Sequence, residues 1–354
     1  MTAFIKLEQV SKAFGTLTVI DRLDLEITRG EFLSLLGPSG SGKTTILMML
    51  AGFIAPSNGS IRLEGRQIEH LPPHRRNMGV VFQNYALFPH MTVAENVAFP
   101  LMMRGAPKAD IVKRVDAALD MVKLSQLKNR KPAQLSGGQQ QRVALTRALV
   151  FEPTVVLMDE PLGALDKQLR EHMQLELREL HRRLGLTIVF VTHDQGEALT
   201  MSDRIAVFNA GKIEQLAPPE AIYDRPQTRF VAEFIGETNL LSGKIRSWDG
   251  NSAHVAIEGG PVVRVTSSGR LQEGAPALIS LRPEQVWLSR TPGAVNSIPV
   301  TVLDTVYHGD HLRVRMAGDG IELIARVERK TATWTVGTAA HATFEPDACT
   351  LIAQ

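Results

Sequence analysis

The chain reads as α/β: a parallel-sheet core with an inserted helical subdomain, followed by an all-β domain. Three observations predict this. Short apolar segments rich in β-branched residues alternate with helical patterns through the first half. The strand pattern lapses between Gln83 and Leu135, where helical periodicity takes over. Past Gly236 the chain breaks into short alternating runs separated by Gly-rich turns. At 354 residues, two domains, 1–235 and 236–354, each have room for their own core.

The predicted parallel strands are 32–36, 78–82, 154–158 and 186–191, each a near-continuous apolar run too short for a helix. The clearest helix spans 167–184. Leu169, Met173, Leu177, Leu180 and Leu184 recur at helical spacing, with Asp166 as N-cap and Gly185 as the stop. The inserted subdomain, about 84–150, includes a helix over 109–124 with Ile111, Val115, Ala118, Leu119 and Val122 on one face. In the tail, runs such as 254–257, 262–266, 312–316 and 321–327 are separated by Asp249-Gly250, Gly259-Gly260 and Gly318-Asp319-Gly320, and predict a barrel-like β domain.

Lys and Arg number 39 against 37 Asp and Glu, so no large excess charge draws the whole chain to nucleic acid or an acidic bilayer. The lone cysteine, Cys349, has no internal disulfide partner, and the opening residues lack a secretory pattern; both point to a reducing cytoplasm. The longest apolar runs fall far short of the roughly 18 residues of a membrane span, which predicts a soluble chain.

Open parallel sheets bind ligands at the carboxyl ends of their strands. The residues there are Gly37, Gln83, Asp159 and Thr192-His193. Gly37-Pro38-Ser39-Gly40-Ser41-Gly42-Lys43-Thr44, continued by Thr45, follows a strand and opens a helix, which is the context a phosphate-binding loop requires. Its backbone amides and helix N-terminus attract phosphate oxygens; Lys43 is placed for the β- and γ-phosphates and the Thr44 hydroxyl for Mg²⁺. Asp159 at a strand end suits Mg²⁺, and Glu160 beside it suits orienting or deprotonating water. Two adjacent carboxylates at a buried strand end ask for a nearby cation.

Ser136-Gly137-Gly138-Gln139 fits a helix capping box, with Ser136 as N-cap and Gln139 at the third helical position. Its two glycines are more than a cap needs, and bare backbone there lets a phosphate approach amides. On their own, Phe14 reads as a core aromatic, Gln83 as a strand-end polar residue, and His193 as a structural histidine drawn toward the site by its neighbours. Arg75-Arg76 reads as a solvated basic face.

Assembled in this order, the first ~235 positions resemble the nucleotide-binding subunit of ABC transporters. The resemblance implies that Phe14 stacks on adenine and that residues 37–45 form the Walker A loop. It makes Gln83 the Q-loop glutamine, touching Mg²⁺ or the attacking water and sensing a membrane subunit. Ser136, Gly138 and Gln139 become signature-loop residues, Asp159 the Walker B aspartate, Glu160 the catalytic glutamate, Asp166 a D-loop residue, and His193 the switch histidine. It implies a homodimer that sandwiches two ATP molecules, each bound by one chain's Lys43 loop and the other's signature loop. It also implies polytopic permease subunits contacting the region after Gln83, with a periplasmic or extracellular substrate-binding protein beyond them, and a peripheral location on the cytoplasmic face of the inner membrane.

The tail, including Ser280-Leu281-Arg282-Pro283-Glu284, resembles the oligonucleotide-binding-like domain of importer ATPases. The run 74–99 looks most like spermidine/putrescine importers, although relatives for ferric iron, sulfate and sugars share much of it. A rival reading, an ATP-switched regulatory or nucleic-acid-binding protein, rests on the barrel-like tail. It is disfavoured because Trp248, Trp287, Tyr307, Trp334 and Phe344 are scattered and no long basic run accompanies them; no nucleic-acid partner is expected.

Overall fold

The computed structural model describes residues 3–267, 269, 272–329 and 334–352. Two compact units emerge, 1–219 and 220–354.

In the first unit, β1 (Ile5–Phe14) and β2 (Leu17–Ile27) form an antiparallel sheet that the sequence pattern did not predict. Then come β3 (Phe32–Leu36), α1 (Lys43–Ala51), β4 (Asn58–Leu63), β5 (Arg66–Gln67) and β6 (Met78–Val81). The helical insertion follows as α2 (Val93–Met103), α3 (Lys108–Met121) and α4 (Gly137–Leu149). The core resumes with β7 (Val155–Asp159), α5 (Lys167–Leu184), β8 (Thr187–Thr192), α6 (Gln195–Met201), β9 (Arg204–Asn209) and β10 (Lys212–Ala217).

The antiparallel sheet runs β2-β1-β4-β5 and the main sheet β10-β9-β3-β8-β7-β6, parallel except for β10. In the main sheet Leu36 is level with Thr192, Asp159 with Val191, and Val81 with Met158. Four strands therefore end together, and the residues that follow them share one edge. All five residues of β3 and of β7 are buried, as expected of strands covered on both faces. One core joins the two sheets through Ile5, Leu7, Ile20, Leu33, Leu35 and Ile46. Another packs Phe32, Val156 and Phe190 against Met173, Leu177 and Leu180 of α5. The insertion has its own core around Val93, Val97, Leu119 and Val143.

The helix over 167–184 forms at the expected bounds: Asp166 accepts from the Leu169 amide at 2.9 Å, and Gly185 stops it in the left-handed region. Leu184 departs from its assigned face and is exposed. The strand expected to stop at Met158 includes Asp159, because Asp159 still pairs with β8. Arg76 overturns the solvated-face reading. It is buried and donates to the carbonyls of Met49, Leu50, Glu69 and Leu71 at 2.7–3.1 Å, so it satisfies the carboxyl end of α1.

The second unit starts before the break placed at 235, with α7 (Pro219–Asp224) at the boundary and α8 (Arg229–Phe234) inside it. Arg282 explains this: its guanidinium is buried and donates to the carbonyls of Tyr223, Ala232 and Glu237 at 2.7–3.2 Å. The rest is β: β11 (Asn239–Trp248), β12 (Ser252–Ile257), β13 (Val262–Thr266), β14 (Pro276–Leu281), β15 (Trp287–Ser289), β16 (Ser297–Tyr307), β17 (His311–Gly318), β18 (Ile321–Glu328), β19 (Ala339–Thr343) and β20 (Cys349–Ile352). The sheets β13-β12-β11-β14-β20 and β15-β19-β16-β17-β18 enclose one core that includes Ile279, Val314, Leu323 and Phe344. Among the described residues no helix is long and apolar enough to cross a membrane.

Candidate active site

The loop from β3 to α1 turns tightly at Gly42, whose φ of 101° disfavours any side chain and where a Cβ would displace Ile20 Cδ1, 2.5 Å away. No side chain caps α1, so its first-turn amides remain available to an anion. Ser39 and Gly40 form the exposed rim, while Gly37, Ser41 and Lys43 are buried. Lys43 Nζ donates to the Gly37 and Pro38 carbonyls at 2.8 and 2.9 Å and to Ser41 Oγ at 3.4 Å. Burial pushes its pKa down, opposed by the charges of Glu160 and Asp159. Thr45 lies part-buried in the first turn of α1.

Thr44 Oγ1 donates to Asp159 Oδ1 at 2.9 Å. Asp159 is 9% exposed, and burial pushes its carboxyl up; the Thr44 hydroxyl opposes that shift. A cation beside this pair would restore the carboxylate, and a hydroxyl with a carboxylate is a hard-oxygen donor set that fits Mg²⁺. Glu160 has φ 43°, a left-handed conformation costing on the order of 1–2 kcal/mol for a residue with a side chain. Its amide still donates to Val191 O at 3.0 Å, so the kink falls where the ladder ends. Gln83 Nε2 and His193 Nδ1 each lie 3.2 Å from Glu160 Oε2. Strain of this kind is typical of functional positions.

The structure thus brings Lys43, Thr44, Gln83, Asp159, Glu160 and His193 together. Among the described residues no hydrogen bond ties Phe14, Ser136, Gln139 or Asp166 to that cluster. Phe14 is 48% exposed under the Lys12 ammonium, 4.9 Å from the ring centroid, which rules out the core-aromatic reading. Ser136 caps α4: its Oγ accepts from the Gln139 amide at 3.4 Å and its own amide donates to Gln139 Oε1 at 3.0 Å. Gly138 has an additional reason to lack a side chain, since a Cβ would lie 3.0 Å from Leu169 Cδ2.

Sequence reasoning missed the supports behind the site. Arg170 donates to Asp194 Oδ2 and Leu165 O, each at 3.1 Å, and lies 3.7 Å from Glu197 Oε1. Thr192 Oγ1 donates to Glu197 Oε2 at 2.6 Å, and Asp194 accepts from the Glu197 amide at 3.2 Å. These bonds hold the turn bearing His193. The Asp194-to-Glu197 spacing is a capping signal visible in the sequence; Arg170 gave none.

The strand ends, the glycine loop and the convergent carboxylates define a P-loop nucleotide-binding protein. The family described as "ABC transporter" matches residues 20–163, and the "TOBE domain" matches 279–352. The spermidine/putrescine import ATP-binding protein PotA of Rubrobacter xylanophilus is 46% identical over 98% of this chain and 93% of its own length. That of Pseudomonas aeruginosa strain UCBPP-PA14 is 44% identical over 98% of both. Among solved structures, cbiO1 of Clostridium perfringens, part of an ABC transporter complex, matches at TM-score 0.59 and 30% identity over 63% of this chain and 91% of that one. The dimeric cassette MJ0796, bound to ADP and Pi in a post-hydrolysis state, matches at TM-score 0.55 and 35% identity over 61% of this chain and 98% of that one. The chain belongs to the ATP-binding proteins of the ABC transporter family.

Proposed function

We propose that this protein is the ATP-hydrolysing subunit of a polyamine importer, acting as a homodimer on the cytoplasmic face of the membrane against permease subunits. The observation that carries the hydrolytic reading is the convergence of Gln83 and His193 on one oxygen of a strained Glu160, beside the Thr44–Asp159 pair. Lys43 exchanges the Gly37 and Pro38 carbonyls for the β- and γ-phosphates of ATP, and the α1 amides hold the remaining phosphate charge. Thr44 and Asp159, with Gln83 nearby, would hold Mg²⁺, which would supply positive charge against the phosphates. Gln83 and His193 both use Glu160 Oε2, and Oε1 is the oxygen assigned to the attacking water. That water loses a proton to Glu160 as its oxygen bonds the γ-phosphorus and the bond to ADP breaks. Phe14 stacks on adenine, and Ser136, Gly138, Gln139 and Asp166 complete the ATP site of the second copy.

Glu160→Gln preserves shape and removes the base, so kcat is expected to fall roughly 100-fold or more while ATP binding persists. Size-exclusion chromatography of that variant with Mg·ATP is expected to show a dimer. Hydrolysis at the normal rate would refute the role of Glu160.

The cargo assignment rests on relatives named for spermidine and putrescine import that align over nearly the whole chain. Cells lacking this gene are expected to lose uptake of radiolabelled spermidine and putrescine, and to regain it with the parent protein but not with Lys43→Ala. Normal polyamine uptake together with lost uptake of ferric iron, sulfate or a sugar would reassign the cargo.

A further inference from the structure

The segment after Gln83 is the second strained stretch near the site. Tyr85 and Ala86 have φ 61° and 46°, two successive left-handed residues that are not glycine. The turn closes through Tyr85 N to Phe82 O at 2.8 Å and Ala86 N to Asn84 O at 2.7 Å, so it brackets Gln83. The Tyr85 ring is buried with Leu145 and Ala148 of α4. Its hydroxyl is buried without a hydrogen-bond partner among the described residues. Two successive non-glycine residues with positive φ are not what the local sequence favours.

What opposes the strain comes from α4. Arg147 Nη1 donates to Ala86 O and Nη2 to Tyr85 O, both at 2.8 Å, a two-pronged grip on the strained carbonyls. The guanidinium carbon also lies 5.6 Å from the Phe88 ring centroid. Burial pushes the Arg147 pKa down, and the two carbonyls it donates to favour its charged form.

We propose that Arg147 is a positioning residue for hydrolysis: by gripping the Tyr85 and Ala86 carbonyls it holds the turn that presents Gln83 to Glu160, and so links that turn to the helix capped by Ser136. The inference rests on the hydrolytic reading above. α4 runs from its Ser136 cap to Arg147, so one helix carries both the cap and the side chain that bonds the Gln83 turn.

The test is steady-state ATP hydrolysis by full-length Arg147→Ala and Arg147→Lys, each alone and combined with Ala86→Gly. Fluorescent-nucleotide binding and Tm are measured alongside. Arg147→Ala is expected to lower kcat about tenfold with KM within about twofold, and Arg147→Lys about threefold. Glycine adopts positive φ without steric cost, so Ala86→Gly is expected to restore most of the lost kcat. A role confined to general stability would lower Tm and leave the kcat of the folded protein unchanged. Normal kcat in both Arg147 variants, or a loss that Ala86→Gly leaves unrepaired, overturns the inference; if Arg147→Ala does not fold, the Arg147→Lys pair decides by the same criteria. Failure of the hydrolytic reading is distinct, because then Glu160→Gln itself would retain activity.

Discussion

At the scale of single residues, the site is a set of charges held in check by one another. Lys43 spends its donors on its own loop, and Asp159 takes a proton donor from Thr44. In the proposed function Lys43 meets phosphate and the Thr44–Asp159 pair meets a cation, each charge matched by its opposite. Lys43→Ala is expected to weaken ATP binding and abolish hydrolysis, since nothing else in the loop neutralises phosphate there; equilibrium nucleotide titration and an ATPase assay check both. Phe14→Ala is expected to raise KM for ATP roughly 2- to 10-fold and spare kcat, because stacking is about equal in ground and transition states. An unchanged KM would separate Phe14 from adenine. Spacing made Lys43, Thr44, Asp159 and Glu160 legible, since local chain geometry determines where such residues sit. Arg76, Arg147 and Arg170 were illegible because their partners lie on other elements, and an arginine looks the same in sequence whether buried or exposed.

At the scale of elements, α4 and α5 meet at Gly138, where one glycine has a packing demand and a proposed functional one. Gly138 sits against Leu169 within the chain, and the proposed dimer also needs bare backbone there. The two demands separate in a pair of variants. Gly138→Ala is expected to lower Tm modestly, an overpacking cost of roughly 1–3 kcal/mol against Leu169 being offset in part by the roughly 0.5–1 kcal/mol that alanine gains over glycine in a helix. Adding Leu169→Ala relieves the contact, so Tm is expected to recover. In the Glu160→Gln background the Mg·ATP-dependent dimer is expected to stay absent from both. A dimer regained by the double variant would assign the glycine to packing within the chain alone. The ends of α5 were legible because an Asp cap and a Gly stop act through adjacent backbone groups. The β1–β2 ribbon was not, since its irregular register dilutes the strict alternation that marks a strand.

At the scale of the whole molecule, the second unit holds two groups that tie its stability to alkaline pH. Burial pushes the Cys349 thiol up to about 12 from 9.0, and burial with the Glu284 hydrogen bond pushes the Tyr223 phenol up to about 12 from 10.0. As pH rises the unfolded chain loses these protons first, so the folded state binds more protons and stability falls. That contribution is fully present below pH 9.0 and is lost progressively toward pH 12. Urea midpoints across this range are expected to drop less steeply for Cys349→Ser than for the parent; parallel curves would remove the thiol from the account. The boundary between units moved for the same long-range reason, because Arg282 fastens carbonyls near Tyr223 and Ala232 that are distant in sequence. The sequence by itself determined the α/β class, the helical insertion, the β tail and the order of the phosphate-related motifs, all of which arise from periodicity, turns and neighbouring residues. Only the tertiary structure decided that Gln83 and His193 meet on Glu160, that Glu160, Tyr85 and Ala86 have left-handed backbones, and that the partly buried Arg147 and Arg170 bond the turns beside them. Such contacts depend on strand order and register, which bring residues level only once the sheet has formed.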